Sequence, residues 1–169
     1  ALAPAPVATY AGDVRDVDAL ARAGADFIAR FGLPDVVIAN AGIGLDARFD
    51  ATTDELLRQV FDVNVFGVFR TIRPFLPGMI ARRAGRILIV SSVVGKRGIP
   101  NYAAYSAAKT AVLRITESLA GELKTHGIRA NCVLPGTIDT SQNREAMPKA
   151  DFSAWVPPAD LAGVIAFLL

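Results

Sequence analysis

The sequence predicts an α/β fold in which helices cover both faces of a parallel sheet. Short apolar runs alternate with longer amphipathic segments, and apolar runs without polar alternation are typical of strands buried on both faces. Of the 169 residues, 52% are hydrophobic and only 8% are aromatic, which suits helices packed closely on a sheet. Strands separated by helices are joined in parallel by right-handed crossovers. We therefore predict a single doubly wound domain over residues 1–169.

The first half of the chain contains two predicted strands and two predicted helices. In order, they are a strand at residues 7–10, a helix over 16–31, a strand at 35–39 and a long helix from 52 to about 69. Asp16 is a good N-cap for the first helix. Thr52 and Glu55 have the pattern of a capping box for the second. Pro74 and Pro77 predict an interruption in its later part.

The second half of the chain continues the alternation. In order, it contains a strand at residues 86–90, a helix over 102–126, a strand at 128–134, an irregular polar stretch over 137–155 and a final helix over 159–169. Gly32 and Gly127 follow predicted helices, where a residue with a left-handed backbone commonly ends the helix. Pro135 and Gly136 end the last predicted strand.

Composition excludes several classes of protein. The formal net charge is +2 and the basic residues form no cluster, so we expect no nucleic-acid partner. Cys132 is the only cysteine and His126 the only histidine, so neither an internal disulfide nor a multi-histidine metal site is expected. No apolar run reaches the ~18 residues of a membrane span, and the N-terminus lacks the charged start of a signal peptide. We therefore expect a cytoplasmic protein without membrane contact.

Tyr105 and Lys109 are the first candidates for a chemical role. They lie four residues apart in a predicted helix, and residues at this spacing share one helix face. A nearby ammonium favours the phenolate, so we expect the pKa of Tyr105 to fall below its usual value of about 10. Such a tyrosine exchanges protons with an alcohol near neutral pH. Ser92, just after the strand at residues 86–90, is placed to hold the oxygen of a substrate.

Other unusual residues follow the predicted strands. Asp13, Asn40, Gly42, the pair Ser91–Ser92 and the pair Pro135–Gly136 stand at or just beyond strand ends. In open parallel sheets, ligands bind beyond the carboxyl ends of the strands. We therefore expect these residues to surround one site.

Taken together, these motifs resemble the short-chain dehydrogenase/reductase family of the classical type. The resemblance covers residues 11–140 approximately. It is carried by the Asn40-Ala41-Gly42 turn, by Asn64 in a helix, by Ser92 thirteen residues before Tyr105, by the Tyr105-x-x-x-Lys109 signature, by the Pro135-Gly136 turn and by the acidic Asp13 before Val14. The resemblance implies a Rossmann-type fold and an oxidoreductase that interconverts a secondary alcohol and a carbonyl by hydride transfer with NAD or NADP.

The resemblance also implies roles for individual residues. Tyr105 is the general acid/base, and Lys109 lowers its pKa and bonds the nicotinamide ribose. Ser92 orients and polarises the small-molecule carbonyl or alcohol substrate, and Asn64 holds a water that links Lys109 to solvent. The implied cofactor contacts are Asp13 and Val14 at the adenine, Asn40, Ala41 and Gly42 at the ribose, and Pro135, Gly136 and Thr137 at the nicotinamide, together with Tyr105 and Lys109.

One part of the family pattern does not occur in the sequence. The glycine-rich loop of the form Thr-Gly-x-x-x-Gly-x-Gly, whose backbone approaches the pyrophosphate, has no counterpart, and neither have the first two strands of the fold. Without that loop we expect very poor dinucleotide affinity. Because half a sheet exposes a large apolar edge, we expect these residues to be part of a longer protein.

Two alternatives to the alcohol dehydrogenase interpretation remain open at this point. Residues 139–155 are similar to the corresponding segment of dihydropteridine reductases, which makes a pteridine reductase of the same fold one alternative, although that group usually lacks the serine. The absent phosphate loop makes a catalytically silent binding or assembly module the other. Equivalent helices of the family build oligomers, so a homodimer or homotetramer is expected.

Overall fold

Three parallel strands form the sheet in a computed structural model that describes residues 7–169. They are β1 (Val36–Ala39), β2 (Gly85–Val90) and β3 (Ile128–Val133), in the spatial order β1-β2-β3. In register, Val37 of β1 lies beside Ile87 of β2, which lies beside Ala130 of β3. The predicted parallel α/β fold is confirmed.

Seven α-helices connect and cover these strands in the described part of the chain. They are α1 (Val17–Phe31), α2 (Asp54–Phe61), α3 (Gly67–Ile72), α4 (Leu76–Arg82), α5 (Ala103–Leu123), α6 (Ser141–Ala146) and α7 (Pro158–Leu168). A π-helical segment, Asp62–Phe66, joins α2 to α3 without a break. Short 3₁₀ turns lie at Phe49–Ala51, Val93–Gly95, Lys124–His126 and Phe152–Ala154.

Successive residues of each strand point to opposite faces of the sheet, and both faces are packed. On one face, Ile87 and Ile89 belong to the larger buried core, which includes Val112 of α5. On the other face, Leu88 and Val90 pack with apolar residues of α7. Burial on both faces explains why the strands are continuous apolar runs in the sequence.

Three of the predicted helix-boundary residues are confirmed. The Asp16 carboxylate accepts a hydrogen bond from the backbone N–H of Ala19 at 2.9 Å and caps α1. Gly127, after the 3₁₀ turn that follows α5, has φ +68°, and Gly32 after α1 has φ +81°. Positive φ angles are accessible to glycine without a steric penalty.

Two predictions about local structure are wrong. Residues 7–10 are not a strand, because a strand requires a neighbour for its backbone groups and the described chain places none beside them. Instead, the Tyr10 hydroxyl donates to Asp26 of α1 at 2.6 Å. The cap of α2 is Thr53, whose hydroxyl accepts from the Leu56 N–H at 3.1 Å. The Thr52 hydroxyl donates to the Arg48 carbonyl instead.

Several boundaries also differ from the prediction. The long second helix is divided into α2, the π-helical segment and α3, and α4 begins after Pro74, with Pro77 in its first turn. The stretch over residues 137–155 contains α6 and a 3₁₀ turn. Within residues 7–169, no helix is both long enough and apolar enough to cross a membrane.

Candidate active site

The candidate site is a cleft of about 410 Å³ at the carboxyl ends of the strands. The strand end of β2 supplies Ser91 and Ser92, and α5 supplies Tyr105 and Lys109. Eight of the residues predicted from the sequence line the cleft: Asn40, Gly42, Ser92, Tyr105, Lys109, Pro135, Gly136 and Thr137. Because parallel strands end at the same edge of the sheet, residues almost 100 positions apart meet here.

Tyr105 faces the cleft in a partly buried environment. Burial raises the pKa of its phenol above the ordinary value, while an interaction with the Ser92 hydroxyl acts in the opposite direction and lowers it. The predicted fall in the pKa of Tyr105 is therefore wrong. Loss of water around the phenolate outweighs the stabilisation that the Ser92 hydroxyl provides.

Lys109 explains why the pKa of the phenol does not fall. Its side chain is almost fully buried, and its Nζ donates to the Val90 carbonyl at 2.9 Å. Nζ lies 5.6 Å from the centroid of the Tyr105 ring, so the amine is directed at a backbone carbonyl and stands over the ring. Burial also lowers the pKa of Lys109 to about 8, so the amine loses its charge at a lower pH than an ordinary lysine.

Asn64 lies in the π-helical segment and is 1% exposed. Its side-chain amide donates to the carbonyls of Ile43 and Val60, each at 2.8 Å. The amide therefore ties the helix to the loop that follows β1. Its Oδ1 is buried and has no hydrogen-bond partner among the described residues, which is costly unless a water or ligand supplies a donor.

Gly42 keeps open the space beside this unpaired oxygen. A Cβ at Gly42 would lie 2.8 Å from Asn64 Oδ1 and 3.2 Å from Lys109 Nζ. Any other residue would therefore occupy the space between the amide oxygen and the amine. The glycine leaves room for a water or a polar ligand within hydrogen-bonding reach of both Asn64 Oδ1 and Lys109 Nζ. A cofactor that carries hydroxyl groups fits this space.

Other cofactor residues predicted from the sequence lie elsewhere. Asp13 is exposed and forms an ion pair with Arg15 at 2.7 Å, and hydrogen bonds from Arg15 lower the pKa of its carboxyl to about 2. Val14 packs close to Gly67. The structure brings neither Asp13, Val14 nor Ala41 to the cleft lining.

Several cleft residues received no catalytic role from the sequence. Ser91 is 3% exposed, and its hydroxyl donates to the backbone carbonyl of Lys109 at 2.9 Å. Tyr102, assigned only to packing or the pocket wall, stands edge-on to Tyr105 with ring centroids 6.2 Å apart. Ile99, Asn143 and Met147 also line the cleft. Ile99 and Met147 lie outside the helices and Asn143 lies in the short helix α6, so none of the three gave a periodic signal, whereas Ser91 was visible as the neighbour of Ser92.

A doubly wound parallel sheet with a polar cleft at its carboxyl edge is typical of enzymes that use nucleotide cofactors. The model of the short chain dehydrogenase family matches residues 3–151. The chain belongs to the short-chain dehydrogenase family, and the predicted class, an NAD- or NADP-dependent oxidoreductase acting on alcohol and carbonyl groups, is confirmed.

Individual relatives agree with this assignment. The chain is 38% identical to an acetoacetyl-CoA reductase of Synechocystis sp., over 93% of this chain and 69% of that protein. It is 35% identical to the 3-oxoacyl-[acyl-carrier-protein] reductase MabA of Mycobacterium tuberculosis, over 92% of this chain and 66% of that protein. The chain thus spans about two thirds of the length of these relatives.

Solved structures show the same likeness. A gluconate 5-dehydrogenase from Burkholderia cenocepacia in complex with NADP and tartrate has a TM-score of 0.86 and 32% identity, with 93% of this chain and 66% of that chain covered. A short-chain dehydrogenase from Streptomyces avermitilis has a TM-score of 0.73 and 37% identity, with 76% of this chain and 47% of that chain covered.

Proposed function

We propose that Tyr105, Ser92, Lys109 and Asn64 form the catalytic set of an enzyme that interconverts a carbonyl and a secondary alcohol. The observation that supports this most strongly is that Tyr105, Ser92 and Lys109 line one cleft at the carboxyl ends of the strands. A proton carrier, a hydrogen-bond donor and a buried amine in one cleft meet the needs of this reaction.

Tyr105 handles the proton in this proposal. In the direction of reduction, the carbonyl carbon gains a hydride, and the Tyr105 hydroxyl gives its proton to the carbonyl oxygen. When bound, the nicotinamide supplies the hydride or, in the reverse direction, accepts it. The raised pKa of Tyr105 keeps the phenol protonated at neutral pH, and this is the form that has a proton to give. Ser92 donates a hydrogen bond to the same substrate oxygen, where negative charge develops.

Lys109 and Asn64 resupply the proton. The amine uses one donor on the Val90 carbonyl, which leaves it further donors, and its pKa of about 8 lets it gain and lose a proton near neutral pH. The unpaired Oδ1 of Asn64 is an acceptor for a water held between the two groups. This water would link Lys109 to solvent.

The cofactor would be held by residues around the same cleft. Asn40 and Gly42, with Ala41 between them, would hold the ribose, and the segment 135–137 would hold the nicotinamide. Asp13 and Val14, which lie outside the cleft lining, would hold the adenine. The support for this placement is the space beside Gly42, which a Cβ would fill. Binding of the adenine at Asp13 requires its carboxylate to remain accessible beside Arg15. The exposed position of Asp13 allows that.

The substrate is a small molecule whose carbonyl has apolar neighbours. Ile99, Tyr102 and Met147 line the cleft together with Tyr105, so apolar carbons next to the reacting carbonyl would be buried there. The relatives named as acetoacetyl-CoA and 3-oxoacyl reductases support a 3-oxoacyl thioester as the first substrate to try. The presence of Ser92 in the cleft favours this function over a pteridine reductase.

The change Tyr105→Phe tests the proposal. Because only the hydroxyl is removed, we expect the full-length protein to lose at least about 100-fold in kcat with NADPH and acetoacetyl-CoA, while its circular dichroism spectrum is unchanged. Tyr10→Phe, at an exposed tyrosine bonded to Asp26, is the matched control. A Tyr105→Phe enzyme with near-normal kcat contradicts the assignment.

We further propose that the protein is a cytoplasmic homo-oligomer. Leu57, Phe66 and Phe69, on α2, the π-helical segment and α3, are each more than 40% exposed. A groove of about 690 Å³ between Leu57 and Phe66 is bordered by Arg15, Arg58, Glu55 and Asp62. Charges of both signs around an apolar centre suit a second copy related by a two-fold axis, because each copy then offers cations to the other's carboxylates.

A lone free thiol at Cys132 suits a reducing compartment.

A further inference from the structure

Polar contacts fix the loop that follows β2 to the helix α5. The Ser91 hydroxyl donates to the backbone carbonyl of Lys109 at 2.9 Å. At the other end of the loop, the Gly95 carbonyl lies 2.9 Å from the Thr110 hydroxyl. The same hydroxyl lies 2.8 Å from the Ser106 carbonyl of its own helix. Both ends of the loop 91–95 are therefore bonded to the helix at adjacent residues, Lys109 and Thr110.

The backbones of the loop and the helix are also in direct contact. A Cβ at Gly95 would lie 2.8 Å from the Lys109 carbonyl oxygen and 3.0 Å from its carbonyl carbon. Since these are backbone atoms within a long helix, they cannot move aside as a flexible side chain would. The absence of a side chain at Gly95 thus permits the approach that brings the two hydroxyls within bonding distance.

The position of this contact matters for the candidate chemistry. Ser92 lies inside the fastened loop, directly after Ser91, whereas Tyr105 lies one helical turn before Lys109. The contacts therefore set the separation between the loop that carries Ser92 and the helix that carries Tyr105. Misplacement of a reacting group by about 1 Å can cost on the order of 100-fold in rate.

We propose that Ser91 and Thr110 are positioning residues, whose hydroxyls hold Ser92 at the correct distance from Tyr105. This inference rests on the proposed function, because it assumes that Ser92 and Tyr105 act on one substrate oxygen. Thr110 is exposed, and its hydroxyl already has an acceptor in its own helix, so its bond to Gly95 is not needed to satisfy the hydroxyl. Ser91 is buried, and a buried hydroxyl needs a hydrogen-bond partner. The Lys109 carbonyl is that partner.

The test is a double-mutant cycle with the full-length protein, NADPH and acetoacetyl-CoA. We expect Ser91→Ala and Thr110→Val each to lower kcat about 10-fold and to change the KM for NADPH less than twofold. Thr110→Ser keeps the hydroxyl and should retain at least half of the wild-type kcat. In a Ser92→Ala background, Ser91→Ala and Thr110→Val should each change the residual rate less than twofold, because the group that they position is gone.

Two control variants separate positioning from a general effect on the fold. Thr71→Val removes a hydroxyl that bonds the Gly67 carbonyl of its own helix, and Ser118→Ala alters an exposed position of α5. Both should keep the wild-type kcat. If Ser91→Ala fails to fold, Thr110→Val and Thr110→Ser complete the cycle.

The outcomes also distinguish failure of this inference from failure of the proposed function. Wild-type kcat in both Ser91→Ala and Thr110→Val overturns the positioning role, and so does a 10-fold loss that is equally large in the Ser92→Ala background. In either case the proposed function stands, provided that Tyr105→Phe and Ser92→Ala are themselves impaired. If those two variants keep the wild-type kcat, the proposed function fails and the positioning role fails with it.

Discussion

Lys109 is a side chain whose burial opposes its charge. Only 4% of the residue is exposed, and its amine donates to the Val90 carbonyl. Burial lowers its pKa from 10.5 to about 8, because a cation removed from water loses solvation that one carbonyl replaces only in part. A buried amine of this kind lowers the stability of the folded protein at neutral pH, and it is retained here at the centre of the candidate site.

The pKa of Lys109 predicts how stability depends on pH. Between pH 8 and 10.5 the unfolded chain binds a proton at this lysine that the folded chain does not, so the free energy of unfolding rises with pH in this interval. Lys109→Met removes the effect. We expect the free energy of unfolding of the variant, relative to wild type, to fall by on the order of 2 kcal/mol between pH 7 and pH 10, as measured by urea denaturation.

The control for this measurement is Lys149→Met, at an exposed lysine. Its difference from wild type should be the same at both pH values. A difference between Lys109→Met and wild type that is also constant from pH 7 to pH 10 would show that the pKa of Lys109 is not lowered in the folded protein.

The same residues show what the sequence could and could not predict about the site. The spacing of Tyr105 and Lys109 and the strand-end position of Ser92 were enough to predict one cleft, which the structure contains. The direction of the pKa shift at Tyr105 was wrong, because the spacing of two residues does not reveal how far each is buried. The atom to which Lys109 donates, the Val90 carbonyl, belongs to a strand distant in sequence and was equally invisible.

At the scale of elements, the second helix shows how a local signal can be off by one residue. Two adjacent threonines precede α2, and the sequence pattern indicated Thr52 because Glu55 lies three residues later. In the structure, Thr53 caps the helix through the Leu56 N–H, whereas Thr52 closes the preceding 3₁₀ turn by donating to the Arg48 carbonyl. The start of α2 matters for the site because this helix continues into the segment that holds Asn64.

This difference leads to a stability prediction. Thr53→Ala leaves a helix N–H without its acceptor and should lower the free energy of unfolding by about 1 kcal/mol. Thr52→Ala is the matched control and should cost less than half as much, since the exposed 3₁₀ turn contributes little. Chemical denaturation of both variants measures the effect. A larger loss for Thr52→Ala than for Thr53→Ala would assign the cap to Thr52.

Other elements differed from the prediction for reasons of tertiary structure. The apolar strands and the helix α5 were predicted to within a few residues, because their patterns extend over many positions. Residues 7–10 have the composition of a strand but no neighbouring strand in the described chain, and composition alone cannot supply that neighbour. The π-helical segment around Asn64 has no sequence pattern of its own. The Asn64 side-chain amide bonds the carbonyls of Ile43 and Val60. Ile43 is far from Asn64 in the sequence and comes close only when the chain folds.

At the scale of the whole molecule, the exposed apolar surface of α2 and the π-helical segment bears on assembly. Phe66 is 52% exposed, and it borders the groove that also contains Leu57 and Phe61. A charged side chain at the centre of a contact between two copies would be buried without a partner, which is strongly unfavourable. At an isolated surface position the same charge would cost little.

We therefore expect Phe66→Glu to convert the full-length protein from a homo-oligomer to a monomer, as measured by light scattering after size-exclusion chromatography. Phe49→Glu is the matched control, because Phe49 is 85% exposed and lies outside the lining of the groove; it should leave the mass of the assembly unchanged. A monomeric wild-type protein would contradict the proposed oligomer. A Phe66→Glu variant that stays oligomeric would show that the contact between subunits lies on another surface. A contact at Phe66 that is related by a two-fold axis would bury two glutamates, one from each subunit, and would therefore be disfavoured.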